Sequence, residues 1–525
     1  MPELEISALQ DVESLFKTSS DETKAWEAAI PGLNSIVIKS SQNDTYRRSL
    51  SGSEGIWRLI SSCFDIAYVK PSHDQPPVVR YWYLRLLRGV VLLARNLCID
   101  SQDFPQRLMI QDKAMKAFNS LGATFAFDEI EVALYKTILE FISNLTMKAV
   151  LYEPKNSNLV AQFLCYPTKG LEDENLFAPY ALLLRNLTGH TDFVFDFLKL
   201  KESSNVLYDF LLKTIAYRYT EIPAILRGTS QDDVELSTLS SIILSVFRNI
   251  CCHESFSPFL SELEVSNPKA FLEYLAMAQL LATSIESWNK FELTTIMSWC
   301  FVQLKSMCEE VKTYFERNVE DESRAKFLHD KMLVVLDILA TLAKFEHVRK
   351  FLLSYNGLEL LVSLLHVFQT NLLRVNVLKQ TTKNSSSFKI TNGRGEKVWD
   401  EALIQSRLDL TNGAIKPTNF PECKSLVIEV LGFLVYSNKQ AQDMVRDLQG
   451  LEAVLSNCVI DDNDPFIKER SIMCIKHLLQ DNDENQKIVA QLESKTAVQD
   501  EALSSAGYQI NVGDDGKVQL ARPQG

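Results

Sequence analysis

Apolar and polar positions near the C-terminus of this chain repeat with a fixed offset. A shift of 44 residues places Ile428 on Ile472, Leu431 on Ile475, Leu434 on Leu478 and Val435 on Leu479. The polar positions follow, with Asn438 on Asn482 and Gln442 on Gln486, and then Val445 on Val489 and Leu448 on Leu492. Ile428, Leu431 and Val435 are spaced i, i+3, i+7, so they share one face of a helix. The polar members mark a loop and the start of the next helix. A period of about 40–47 residues carrying only helical patterning belongs to armadillo and HEAT repeats.

The unit recurs upstream. A shift of 93 brings Gly357-Leu358-Glu359 onto Gly450-Leu451-Glu452, each opening an apolar helix. Four earlier helix ends carry a related tetrapeptide: Arg95-Asn96-Leu97-Cys98, Ser143-Asn144-Leu145-Thr146, Arg185-Asn186-Leu187-Thr188 and Arg248-Asn249-Ile250-Cys251. The predicted fold is therefore all-α, an armadillo/HEAT-like helical-repeat superhelix of about eight units, since one repeat cannot bury its own apolar face. Residues 218–237 and 379–422 interrupt the pattern with Pro, Gly, Ser and Asp. The expected organisation is helical repeats over 1–378, a mobile loop or linker over 379–422, a repeat pair over 423–493 and a flexible tail over 494–525.

Composition narrows the reading. In 525 residues, 54 Lys and Arg face 67 Asp and Glu, a net charge of −13 that argues against a general nucleic-acid binder. Gly (18) and Pro (16) are sparse, which favours long helices over a barrel or sandwich. The most apolar stretch, Leu84 to Leu97, is broken by Arg85, Arg88 and Arg95, so no membrane span is expected. The acidic start, Met1-Pro2-Glu3-Leu4-Glu5, shows no targeting signal. Ten scattered cysteines lack the density of a disulfide scaffold, and a reduced, cytosolic or nuclear protein is expected, with the cytoplasm as the localisation adopted.

The stretch Lys424–Leu492 resembles the C-terminal domain of the ataxin-10 family, its fungal branch being closest in size. The resemblance is carried by Leu431-Gly432-Phe433-Leu434-Val435-Tyr436-Ser437-Asn438, by Gln442-Asp443-Met444-Val445-Arg446, by Gly450-Leu451 and, most specifically, by Leu455 through Glu469 followed by Asp483-Glu484-Asn485-Gln486. Within it stand Asp461, Asp462, Asn463, Pro465, Phe466 and Glu469. Phe433 and His477 depart from the Asn of many members. The resemblance implies an armadillo-like, non-enzymatic cytoplasmic scaffold linked to cytokinesis. The motif also has a local reading: Asp464 as helix cap, Pro465 at the first helical position, and Phe466 and Ile467 beginning the helix.

Candidate chemistry is sparse. No Gly-x4-Gly-Lys-Ser/Thr loop, Gly-x-Gly-x-x-Gly, Gly-x-Ser-x-Gly elbow or His-Glu-x-x-His helix occurs, so no enzyme and no cofactor are expected. Cys251-Cys252-His253 is the one local metal-type cluster, and neighbours about 100° apart on a helix do not converge easily on an ion. No metal site is expected. Asn96, Asn144, Asn186 and Asn249 are the candidate contact residues. An amide has two donors and two acceptor lone pairs and suits a peptide backbone, although it can equally bond its own repeat. Arg88, Arg95, Arg185 and Arg248 accompany them, with Arg85, as contacts for an acidic peptide or anionic head group. The expected partners are other proteins, with self-association left open. The alternatives are a nuclear-transport-type cargo adaptor and a copper-homeostasis factor.

Overall fold

The computed structural model describes residues 3–18, 23–70, 76–99, 107–148, 152–166, 168, 171–212, 237–285, 287–317, 321–378, 387–493, 509–512 and 518–521. Nearly all described residues are helical, joined by three two-stranded antiparallel ribbons. The all-α helical-repeat expectation holds. The chain forms two compact units, Met1–Tyr274 and Leu275–Gly525.

In the first unit the helices alternate between two rows. One row runs Glu3–Thr18, Glu54–Val69, Arg107–Gly122, Ser157–Cys165 and Lys201–Leu207, each packed on the next. The other runs Thr23–Gln42, Pro77–Leu97, Glu129–Lys148, Glu174–Thr188 and Thr238–Cys251. All four Asn tetrapeptides end helices of this second row, called here the Asn row. Aromatic side chains fill the space between rows. Phe16, Trp26 and Tyr83 meet with ring centroids 4.9–6.0 Å apart. Phe64 lies 5.6 Å from Phe118 and 5.9 Å from Phe141. Each such side chain is covered only when residues of three helices converge, and full burial contributes about 1.5–3 kcal/mol apiece. Of the 218–237 insertion only Ser237 is described. Its hydroxyl accepts from Ser240 N (3.1 Å) and caps the Thr238–Cys251 helix.

The second unit contains the 44-residue repeat, and the repeat extends to single hydrogen bonds. Asn438 Oδ1 accepts from Ala441 N, and Asn482 Oδ1 from Asn485 N, both at 3.2 Å. Gln442 Nε2 donates to Val435 O (3.3 Å), and Gln486 Nε2 to Leu479 O (2.7 Å), each satisfying a carbonyl at the end of the preceding helix. The residues between, Ser437 and Asp481, are both left-handed, with φ of 51° and 56°. The 93-residue shift is matched in the same way. Asn356 and Gln449 share φ of 59° ahead of Gly357 and Gly450. A Cβ on Gly357 would lie 2.8 Å from Leu352 O, and one on Gly450 would lie 2.9 Å from Val445 Cγ1, so only glycine admits the close approach at either site.

The helices Glu322–Leu342, Cys423–Val435 and Ile467–Leu479 pack in that order, beside a second row of Lys290–Glu316, Gly357–Asn371 and Gly450–Ser456. This placement corrects the reading of 379–422 as a mobile linker dividing body from repeat pair. Gly357–Asn371 packs directly on Cys423–Val435, so the insertion lies inside one repeat, and a boundary at 378 or 423 cuts that repeat. Residues 379–386 lie outside the described residues. The remainder folds: Arg374–Leu378 pairs with Ser387–Thr391, bringing Val375 opposite Ile390, and a helix, Glu401–Arg407, leads into a short ribbon at 408–409 and 414–415. Leu373, Val375, Ile390 and Leu408 form its small core, flanked by Val398, Leu403, Ile404 and Ile415. The polar residues that suggested a linker are turn and cap formers. Asp400 caps its helix through Ala402 N and Leu403 N, and Asp409 accepts from Thr411 N and Asn412 N. Of the expected flexible tail, 509–512 and 518–521 are described and pair antiparallel.

The two glutamines separate burial from bonding. Gln442 is buried and also donates to His477 O and accepts from Asn482 Nδ2, whereas Gln486 is exposed. Gln442→Ala is expected to cost about 2–3 kcal/mol in urea unfolding and Gln486→Ala less than about 1 kcal/mol, because water replaces only the exposed bond. Equal losses would contradict this assignment.

Candidate functional site

The Asn row positions the candidate contact residues at the C-terminal turns of successive helices, and every amide reaches back to the helix before its own. Asn96 Nδ2 donates to Val37 O (3.2 Å) and Ser40 Oγ (3.0 Å) of Thr23–Gln42. Asn144 Nδ2 donates to Arg95 O (3.4 Å). Asn186 Nδ2 donates to Ser143 O (3.1 Å) and Thr146 Oγ1 (3.3 Å), and Asn249 Nδ2 to Thr188 Oγ1 (3.4 Å). These bonds of the amides run from one repeat to the next rather than within a repeat.

The preceding arginine sets the amide orientation. Arg95 donates to Asn96 Oδ1 through Nε (3.3 Å) and Nη2 (3.1 Å), and Arg185 donates to Asn186 Oδ1 (3.5 Å). With their oxygens held by a donor-only guanidinium, the Asn96 and Asn186 amides present their NH2 groups to the neighbouring helix. Asn96 is a correction to the expected contact set: at 4% exposure its amide is spent inside the stack. Asn144, Asn186 and Asn249 are half-buried, as are Arg95, Arg185 and Arg248, and Arg88 is exposed. Arg95 also pairs with Glu140, and Arg88 Nε donates to Thr137 Oγ1 (3.4 Å). The neighbouring aromatic run divides. Tyr83 is buried and donates to Lys70 O (3.1 Å), while Tyr81 stays exposed and Arg85 lies 5.5 Å over the Trp82 ring.

The motif around Asp461 makes a second constellation, largely hidden. Asp461, Asn463 and Asp464 are each no more than 1% exposed, whereas Asp462, Pro465, Phe466 and Glu469 face solvent. Asp461 Oδ1 accepts from Val375 N (3.0 Å) and Asn463 N (3.0 Å), and its other oxygen faces Lys424 Nζ (3.4 Å), itself buried. Asp462 N donates to Val375 O (2.7 Å), so this turn closes on the inserted ribbon like an added rung. Asn463 Oδ1 accepts from Asn419 Nδ2 (2.7 Å), and Asn419 bonds both the N–H and the carbonyl of Leu373. The local capping reading is corrected here. The helix starts at Ile467 with Phe466 at its N-cap and no side-chain cap. Asp464 instead accepts from Ser425 N (2.9 Å), capping the Cys423–Val435 helix across the chain. Burial raises the Asp464 carboxyl above its ordinary range, against the pull of Lys424. Arg374, Asn419, Lys424 and Asn457 complete this buried set and were not singled out in the sequence. The available signal was a lysine within the apolar run Cys423–Val435.

The Cys251 and Cys252 sulfurs are 3.9 Å apart and buried, and His253 Nδ1 accepts from Ser255 N (3.1 Å). Among the described residues, no three His, Cys, Asp or Glu side chains are grouped to hold a metal ion. No single described helix is long and apolar enough to cross a membrane.

A family model described as the spinocerebellar ataxia type 10 protein domain matches residues 423–521. An ataxin-10 homolog of Candida glabrata is 41% identical over 98% of this chain and 98% of its own length. One of Saccharomyces cerevisiae is 34% identical over 98% of this chain and 95% of its own. A circular tandem repeat protein of known structure overlaps 93% of this chain and 97% of its own at 10% identity, with a slight TM-score of 0.25.

Two substitutions check the two constellations. Asn186→Ala is expected to cost about 1–2 kcal/mol with helical content unchanged, since it strands a carbonyl and a hydroxyl between helices. Asp461→Ala, which leaves buried Lys424 without its carboxylate, is expected to cost about 3–5 kcal/mol. The raised Asp464 carboxyl also predicts a pH effect. Its proton is held more tightly in the folded state, so its contribution is complete below the ordinary carboxyl range and is lost as pH rises through the raised value. Urea unfolding of Asp464→Asn between pH 4 and 7 should show less of this loss than wild type. A profile parallel to wild type would contradict the assignment.

Proposed function

We propose that this chain, which belongs to the ataxin-10 family and is built of helical repeats, is a non-enzymatic scaffold that binds partner proteins along the open face of its Asn row. Its proposed setting is the cytoplasm and its proposed process the regulation of cytokinesis, both taken from the family resemblance. The observation that carries the reading is the row itself. It repeats an asparagine at the ends of four stacked helices, oriented by the preceding arginine at Asn96 and Asn186, with the amides binding the stack together and the guanidinium groups at or near its surface. A stack fixed in this way offers a regularly spaced surface. In this reading Arg88, Arg95, Arg185 and Arg248 make the contacts, with the half-buried Asn144, Asn186 and Asn249 between them, and Asn96 serves the stack alone.

Capture of partners from native extract tests this. Wild type is compared with Arg88→Ala/Arg185→Ala, after both show the same helical content. The variant is expected to lose at least half of the specific partners retained by wild type. Retention of every partner would move the binding surface away from the Asn row.

A further inference from the structure

The open face of the Asn row carries charge opposite to that of the chain as a whole. The Pro77–Leu97 helix contains Arg80, Arg85, Arg88 and Arg95 and no acidic residue. Lys136 stands on the next helix together with Glu129, Glu131 and Glu140, of which Glu131 pairs with Arg80 and Glu140 with Arg95, and Arg185 and Arg248 stand near the ends of the two helices after that. In the C-terminal turns of these four helices the acidic side chain is Glu140, which is paired with Arg95. The chain carries 67 acidic against 54 basic residues, so this lane is a local reversal of sign. Helix C-termini attract cations, which accounts for Arg95, Arg185 and Arg248 singly. Arg85 and Arg88 stand two turns or more before the helix end and are exposed, so the helix dipole does not account for them.

From this charge pattern we infer that the lane binds an extended, acidic peptide segment of a partner protein, laid across the helices of the Asn row. The inference rests on the scaffold reading and names the chemistry of what that surface recognises. Packed helices stand about 8–10 Å apart, the span of about three residues of extended chain. Three helix-to-helix steps separate Arg95 from Arg248, so the segment is about nine residues long, with acidic side chains placed opposite Arg95, Arg185 and Arg248 and none required at the Ser143 step. A guanidinium takes a carboxylate in two parallel hydrogen bonds, which fixes register as well as charge. Half-burial of Arg185 and its hold on Asn186 Oδ1 (3.5 Å) reduce the rotamer freedom lost on binding. The exposed Tyr81, next to Arg85, provides an apolar rim at one end of the lane.

The test uses the full chain and two fluorescein-labelled probes of equal length, a poly-L-glutamate 12-mer and a Gly-Ser 12-mer, read by fluorescence anisotropy. Wild type should bind the glutamate probe at least ten-fold more tightly than the Gly-Ser probe, and more weakly as salt is raised. Arg88→Glu/Arg185→Glu should weaken the glutamate probe at least ten-fold. Arg85→Glu/Arg88→Glu, both at exposed positions, gives the same reading should Arg185→Glu disturb the fold. Lys269→Glu/Lys312→Glu, a reversal of two exposed cations outside the lane, should leave binding within two-fold of wild type. Equal binding of the two probes, or equal loss in the lane and control variants, overturns the inference. If either occurs while partner capture still depends on Arg88 and Arg185, the surface stands and its acidic ligand does not. If the lane variants lose the glutamate probe yet capture every partner, the scaffold reading fails at this face instead.

Discussion

A helix in this fold can cover its apolar stripe only with the helices of adjacent repeats, and that close approach brings carbonyls near its C-terminal turn within reach of the next helix. Val37 O, Arg95 O and Ser143 O are such groups, and each accepts from the asparagine of the following repeat. Apolar burial drives the stacking. The amides fix its register, because a directional bond is made only at one sliding position of one helix along the other. At Asn96 and Asn186 the preceding arginine holds the amide the right way round, which couples the surface charge to the internal joint there.

The C-terminal motif solves a comparable problem with carboxylates. Inserting a folded segment into one repeat leaves strand and helix-start N–H groups buried beside the following repeat. Asp461 takes Val375 N, and Asp464 takes Ser425 N. Lys424 balances charge in a site where a lone carboxylate would be costly. The result is an interlocked segment in which the inserted ribbon, the Cys423–Val435 helix and the 457–466 turn depend on one another. Its solvent side shows Phe466 and Asp462, while most of the specific sequence faces inward. Most side chains of this motif therefore serve packing within the chain.

The sequence revealed local periodicity well and cross-chain partners poorly. The 44-residue shift is legible because the same cap, the same left-handed residue and the same glutamine bond recur, each within a few residues. The asparagines were found at their places, but their bonds reach residues about 40 to 60 positions away, beyond any local pattern. Asp464 was read as a cap for the nearest helix because residue type indicates a cap without indicating which helix start lies beside it. The polar composition of 379–422 suggested a mobile loop or linker, whereas its described part, 387–422, is folded. The alternation of Val375 and Val377 with Asn376, and of Phe388 and Ile390 with Lys389, marks two strands, and its start lies just ahead of the polar run.

The most direct measurement is a hydrogen-exchange footprint of a captured partner on the full chain. The account predicts slowed exchange at the C-terminal turns of the Asn row, around Arg95, Asn144, Arg185 and Arg248, with the Asp461–Asp464 turn unchanged. Protection confined to the exposed side of the 457–466 turn, with the Asn row unaffected, would contradict it.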